Sequence, residues 1–254
     1  MAKKKDNGTN GKETNGKEET TTEIAERPEV LTPDVSRGLF DLKKNLEGVK
    51  PRLPLIAILH GETQLYKMPD GTKVDSFEGV ILDVMNTNAW WSIPFEKSGG
   101  GTPPDCYSMD AITPDMNAED VQAESCHEKK CAQNVFGSDP KGGRGKACKN
   151  MKRVHILIEG QQFPHRLVLP PSNLDVADNY VSILTSKGTP YQLVITKFSL
   201  KQTSSKEGIK YSRVVMEEAK AITTVTEAQA IKRAWSDWRP IMREQPIDSE
   251  EYSE

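Results

Sequence analysis

The residues in this 254-residue chain best placed to do chemistry are its four cysteines. Cys106, Cys126, Cys131 and Cys148 share one stretch, separated by nineteen, four and sixteen residues. Thiolates brought together from distant points of a chain supply the tetrahedral, soft ligand set of structural Zn2+, and a four-residue gap falls within the usual knuckle range. A redox pair is disfavoured, because four residues and not two separate Cys126 from Cys131. The expectation is therefore Zn2+ held by all four thiolates, with His127 as the alternative to one of them. Metal binding would also order the 96–152 segment, which is rich in Gly and Pro and has few apolar residues.

The surroundings of the cysteines are basic. From Lys129 to Arg153 there are eight Lys and Arg against Asp139 alone, although the whole chain carries a net charge of only -3. Gly142-Gly143-Arg144-Gly145 would let backbone amides and a guanidinium approach phosphates closely; a solvated loop is the plainer alternative. It is not a Walker loop, since no Gly-Lys pair here is followed by Ser or Thr at the required spacing. Single-stranded nucleic acid is held by a basic groove together with stacking aromatics. The expected phosphate contacts are Lys141, Arg144, Lys146, Lys149, Lys152 and Arg153. Trp90, Trp91, Phe136 and Tyr211 are the stacking candidates, and Arg213 shares the Tyr211 face of its strand.

Catalytic patterns are weaker. His60, His127, His155 and His165 are scattered, with no nucleophile at an interpretable spacing. Asp105 and Asp110 could belong to a metal-dependent nuclease or recombination enzyme, but they flank the first cysteine. A non-enzymatic binder is expected, with a zinc-containing interaction adaptor as the other alternative.

Several elements must position these groups. Residues 1–30 contain the repeat Thr-Asn-Gly-Lys-Glu at 9–13 and 14–18, bury nothing and read as a disordered polar tail. Over 31–50, Thr32-Pro33 starts an amphipathic helix with Val35, Leu39, Leu42, Leu46 and Val49 along one side, available for packing or self-association. Strands are expected over 53–60, 73–85, 153–159, 191–201 and 209–218. A helix capped by Ser172, with Asp175 at the box position, falls between the third and fourth. A last helix over 221–245 is capped by Thr226 and carries Ile231, Ala234, Trp235 and Trp238. The tail 246–254 is acidic and suits protein partners. No apolar run is long enough to cross a bilayer, and Met1-Ala-Lys-Lys-Lys leads into polar residues, so neither a membrane span nor a signal peptide is expected and the location is cytoplasmic.

This order gives a mainly β chain with some α: an OB-fold-like five-stranded barrel over 51–220, with a helix between strands 3 and 4 and a zinc-binding insertion, flanked by terminal helices. The chain resembles a family of bacteriophage replication-associated single-stranded DNA-binding proteins from about Leu53 to Met216. The resemblance is carried by Glu78-Gly-Val-Ile-Leu-Asp83, Asn88-Ala-Trp-Trp91, Pro104-Asp-Cys-Tyr-Ser108, Cys126, Cys131, Asn134-Val-Phe-Gly-Ser138, Gly145-Lys-Ala-Cys-Lys149 and Leu169-Pro-Pro-Ser172. One departure is the Cys126–Cys131 gap, four residues where the family usually has two. The resemblance implies an OB-fold with an inserted zinc motif. It also implies a protein that coats and protects single-stranded DNA without strong sequence preference during replication or recombination, in the host cytoplasm if phage-encoded, and recruits replication proteins.

Overall fold

In the computed structural model the residues described are 42–59, 63–93, 102–204, 208, 210–247 and 251. The chain divides into two compact units, Met1–Lys50 and Pro51–Glu254. In the first, Leu42–Leu46 forms a short 3-10 turn. Residues 47–50 of the helix expected over 31–50 are turn and irregular backbone, and its part 31–41, the polar tail 1–30 and His60 lie outside the described residues.

The second unit is mainly β, with two helices. Its strands are β1 (Leu55–Ile58), β2 (Tyr66–Lys67), β3 (Lys73–Val74), β4 (Ser76–Trp90), β5 (Cys106–Ser108), β6 (Lys149–Leu157), β7 (His165–Leu169), β8 (Val194–Ser204) and β9 (Lys210–Ala221); the helices are α1 (Leu174–Ser186) and α2 (Val225–Glu244). The strands form one sheet in the order β3-β2-β1-β7-β6-β4-β8-β9, with β5 added to the end of β4. The sheet curls into a half-barrel. All pairings are antiparallel except that of β1 with β7.

The expected strands reappear with shifted limits. The apolar run 53–60 contributes only four strand residues, and the run 73–85 is broken at Asp75 into β3 and β4. β7 was not foreseen. All five of its residues are buried, so it lacks the alternation that marks a half-exposed strand. As a result the antiparallel run that carries the curl is β7-β6-β4-β8-β9, and β1 lies outside it.

β4 explains much of the packing, because it is buried on both faces. Ile81 joins the main core with Ile156, Leu167, Leu184, Phe198 and Val214, while Val80 and Leu82 face a second cluster with Met242, Trp235 and Trp238 of α2. Gly79 is required here. A Cβ would meet Ile156 Cγ2 at 2.5 Å and the Leu157 carbonyl oxygen at 2.9 Å, so any side chain would push β4 off β6. Within the main core, Phe77 stacks on Phe198 with ring centres 4.9 Å apart and Tyr66 meets Phe77 edge-on.

Side chains close the ends of the sheet. Asn173 is fully buried. Its amide accepts a hydrogen bond from Val214 N and donates one to the Ser212 carbonyl, as a neighbouring strand would. Asn173, and not Ser172, stands at the N-terminus of α1, and no side chain caps it. α2 is capped two residues earlier than expected, by Thr224, whose hydroxyl accepts from Glu227 N while the Glu227 carboxylate bonds that hydroxyl. Among the described residues no helix is long and apolar enough to cross a membrane.

Candidate functional site

β4 and β6 run side by side with Ala89 opposite Lys149. They thereby hold both ends of the segment from Trp91 to Cys148. β5 adds a second anchor, with Cys106 opposite Trp90. The four cysteines follow from this arrangement. All are buried, at 7–8 % exposure, and all are free thiols. They line one small cavity of about 10 Å3 together with Trp90, Tyr107, Gln133 and Asn134.

That cavity is not the expected metal centre. Among the described residues no group of three or more His, Cys, Asp or Glu is arranged to hold a metal ion. The expectation of Zn2+ on Cys106, Cys126, Cys131 and Cys148 is corrected accordingly. Burial pushes the thiols of Cys106 and Cys126 up and that of Cys148 to about 12. The four side chains serve as small apolar packing groups. His127 is exposed, and its Nδ1 accepts from Lys129 N to shape a turn.

Order in this region comes from hydrogen bonds. In the loop 131–149, Cys148 N donates to the Gln133 carbonyl at 2.7 Å, and Gly137 N and Asp139 N both donate to the Gly145 carbonyl. The Ser138 hydroxyl donates to the carbonyls of Gln133 and Val135 and accepts from Ala147 N. Asp139 accepts from Lys149 Nζ at 2.9 Å and from Lys141 N. Lys149 and the Lys141 amide hold the Asp139 carboxyl below the usual range. Gly142 and Gly143 follow one another at φ of 84° and 86°, a turn that a side chain would strain at both positions. Asn134, buried at the base, donates through Nδ2 to the Cys126 carbonyl.

The loop displays what it does not bury. Phe136 is 71 % exposed and Val135 43 %. Lys141 and Arg144 of the same loop are exposed. Lys146 lies with Nζ 4.6 Å from the centre of the Phe136 ring. Trp90 and Trp91 are both half-buried: Trp90 covers the thiol cavity, and Trp91 donates from Nε1 to the Thr102 carbonyl. Tyr211 is half-buried on β9 opposite Thr203.

The remaining basic candidates do structural work. Lys149 closes the loop on Asp139. Lys152 has a buried side chain ion-paired to Asp178 of α1. Arg213 ties β9 to the start of α1 through the Ser172 carbonyl and the Asp175 carboxylate. Arg153 is fully buried. It grips Glu251 in a two-pronged pair, Nε to Oε2 at 3.0 Å and Nη2 to Oε1 at 2.6 Å, and donates to the carbonyls of Gln245 and Pro246. Arg166 adds a third contact to Glu251 at 2.9 Å. Lys152 and Arg153 are therefore corrected from phosphate contacts to internal fasteners: alternation along β6 does not take them to solvent, because both faces of that strand are covered.

Glu251 was not foreseen as a buried group; in the sequence it is one acid in an acidic tail. The nuclease carboxylates are likewise engaged: Asp105 accepts from Ser92 N, and Asp110 accepts from the Ser108 hydroxyl, Ile112 N and Thr113 N around the turn at Ala111. Comparison with protein-family models, with curated proteins and with solved structures returns no match.

Proposed function

We propose that this protein binds single-stranded DNA, protecting it and bringing replication or recombination proteins to it, without chemistry of its own. The observation that carries this reading is the loop 131–149. It holds an exposed aromatic ring and exposed cationic groups on a hydrogen-bonded frame, in the combination that stacks bases and neutralises phosphates without reading sequence. Phe136 is the base platform, and Lys141 and Arg144 are the phosphate contacts.

The spatial order β7-β6-β4-β8-β9, with α1 between β7 and β8, the third and fourth of these strands along the chain, supports an OB-fold-like reading of the half-barrel. That fold commonly binds oligonucleotides on its strand face and loops. Tyr211 on β9 and the two tryptophans at the end of β4 extend the candidate surface beyond the loop. The similarity to phage replication-associated binders rests on the sequence motifs and points to the same ligand.

Fluorescence anisotropy with labelled single- and double-stranded oligonucleotides, over a series of salt concentrations, tests the proposal. The expected result is preference for single strands and an affinity that falls linearly with the logarithm of salt, since phosphate neutralisation releases counterions. Affinity that does not respond to salt, or equal affinity for duplex, would overturn it.

A further inference from the structure

The basic residue that lies over the Phe136 ring is not placed as a phosphate contact. Lys146 Nζ sits 4.6 Å from the centre of the Phe136 ring, 3.2 Å from Asn134 Oδ1 and 3.8 Å from Glu128 Oε2. An ammonium has three N–H bonds, and these three partners surround it. Its side chain is only 17 % exposed. Asn134, which receives one of the three contacts, is itself buried and anchored to the Cys126 carbonyl. The chain Cys126–Asn134–Lys146–Phe136 thus runs from the packed base of the loop to the exposed ring.

We infer that Lys146 is a positioning residue for a one-sided base platform: it backs one face of the Phe136 ring and leaves the other face for a single stacked nucleobase. The inference rests on the single-strand reading above and assigns Lys146 a role different from that of Lys141 and Arg144. An apolar ring exposed on a glycine-rich loop would otherwise sample several rotamers, and each would have to be frozen when a base stacks. A cation held behind the ring fixes the orientation beforehand.

The test is a double-mutant cycle on the full-length chain, read by anisotropy with a labelled single-stranded oligonucleotide across a salt series. Phe136→Leu is expected to weaken binding by about fivefold to a hundredfold, the range for losing one stacked base. Lys146→Met is expected to weaken it by about two- to fivefold, and Lys146→Arg to restore it, since a guanidinium also packs on an aromatic face. Neither Phe136→Leu nor Lys146→Met should change the slope of log affinity against log salt, whereas Lys141→Ala should reduce it by about 0.7. In the Phe136→Leu background, Lys146→Met should cost nothing further. A Lys146→Met slope that falls as Lys141→Ala's does, or an undiminished loss in the Phe136→Leu background, would overturn the positioning role while leaving single-strand binding intact. Failure of the wild-type chain to bind single strands would overturn the functional reading itself.

Discussion

Two clusters of cations lie close together in the chain and meet opposite fates. Lys141 and Arg144 stand on a glycine turn and remain in solvent; Lys152 and Arg153, a few residues on, are inside the protein. The chemistry of the residues is the same. What differs is the backbone they ride on. The turn 137–145 is held by the loop's own backbone and by Ser138 and Asp139, so Lys141 and Arg144 stay exposed. β6 is the second strand of the curl, with β4 and β7 on either edge, α1 reaching one face through Asp178, and Gln245, Pro246 and Glu251 meeting Arg153 on the other. A cation there must bring a carboxylate with it, because an unpaired buried charge is expensive. Asp178 and Glu251 serve that need. A basic run in a sequence is thus not one surface.

The strongest way to break this comparison is to remove a buried cation. Arg153→Ala leaves the buried Glu251 carboxylate to Arg166 and removes the guanidinium donors from the Gln245 and Pro246 carbonyls. A loss of about 3–5 kcal/mol is expected in urea unfolding monitored by circular dichroism. A loss below about 1 kcal/mol would mean that Arg153 does not hold Gln245, Pro246 and Glu251 as described.

Acid sharpens the contrast through His155, which is completely buried beside the same guanidinium groups. Burial, then the charges of Arg153, Arg166 and Arg243, push its imidazole down to about 3 from the ordinary 6.5. Between these values the unfolded chain binds a proton that the folded chain refuses. Stability from this group is therefore complete above about 6.5 and falls as the pH drops toward 3, by up to about 1.4 kcal/mol per pH unit. Urea midpoints measured from pH 7 to 4 should show this decline, and a His155→Leu variant should flatten part of it. An identical decline in wild type and variant would remove His155 from the account.

The smallest effect on folding belongs to the exposed pair. Lys141→Ala with Arg144→Ala should leave stability within about 0.5 kcal/mol of wild type, while lowering the salt slope of single-strand binding by about 1.4. Thermal melts and the anisotropy series read the two quantities separately. A double variant that binds with an unchanged slope would return these residues to plain solvated surface.

The contrast also shows what could be read in advance. The mainly β character, β4, β6, β8 and β9, both helices and the loop's Phe136, Lys141 and Arg144 are all visible as periodicity, turn residues and local charge. β7 was hidden because five consecutive buried residues carry no period. The caps slipped because Thr226 with Gln229 and Thr224 with Glu227 offer the same pattern, and only the start of the helix axis decides between them. The metal centre was expected from spacing, whereas the structure brings the four thiols to one cavity wall as buried packing groups without grouping them as a ligand set.

Local order of residue types was enough to mark β4, β6, β8, β9 and both helices, since backbone preference and side-chain period act over a few residues. Partners far apart in the chain needed the folded molecule. Glu251 meets Arg153 across 98 residues, Arg243 meets Asp83 across 160, and Gln245 fastens Leu53 across 192. Whether a charged residue faces water or another charge depends on such long-range neighbours, and nothing within a few positions of Arg153 announces which it will be.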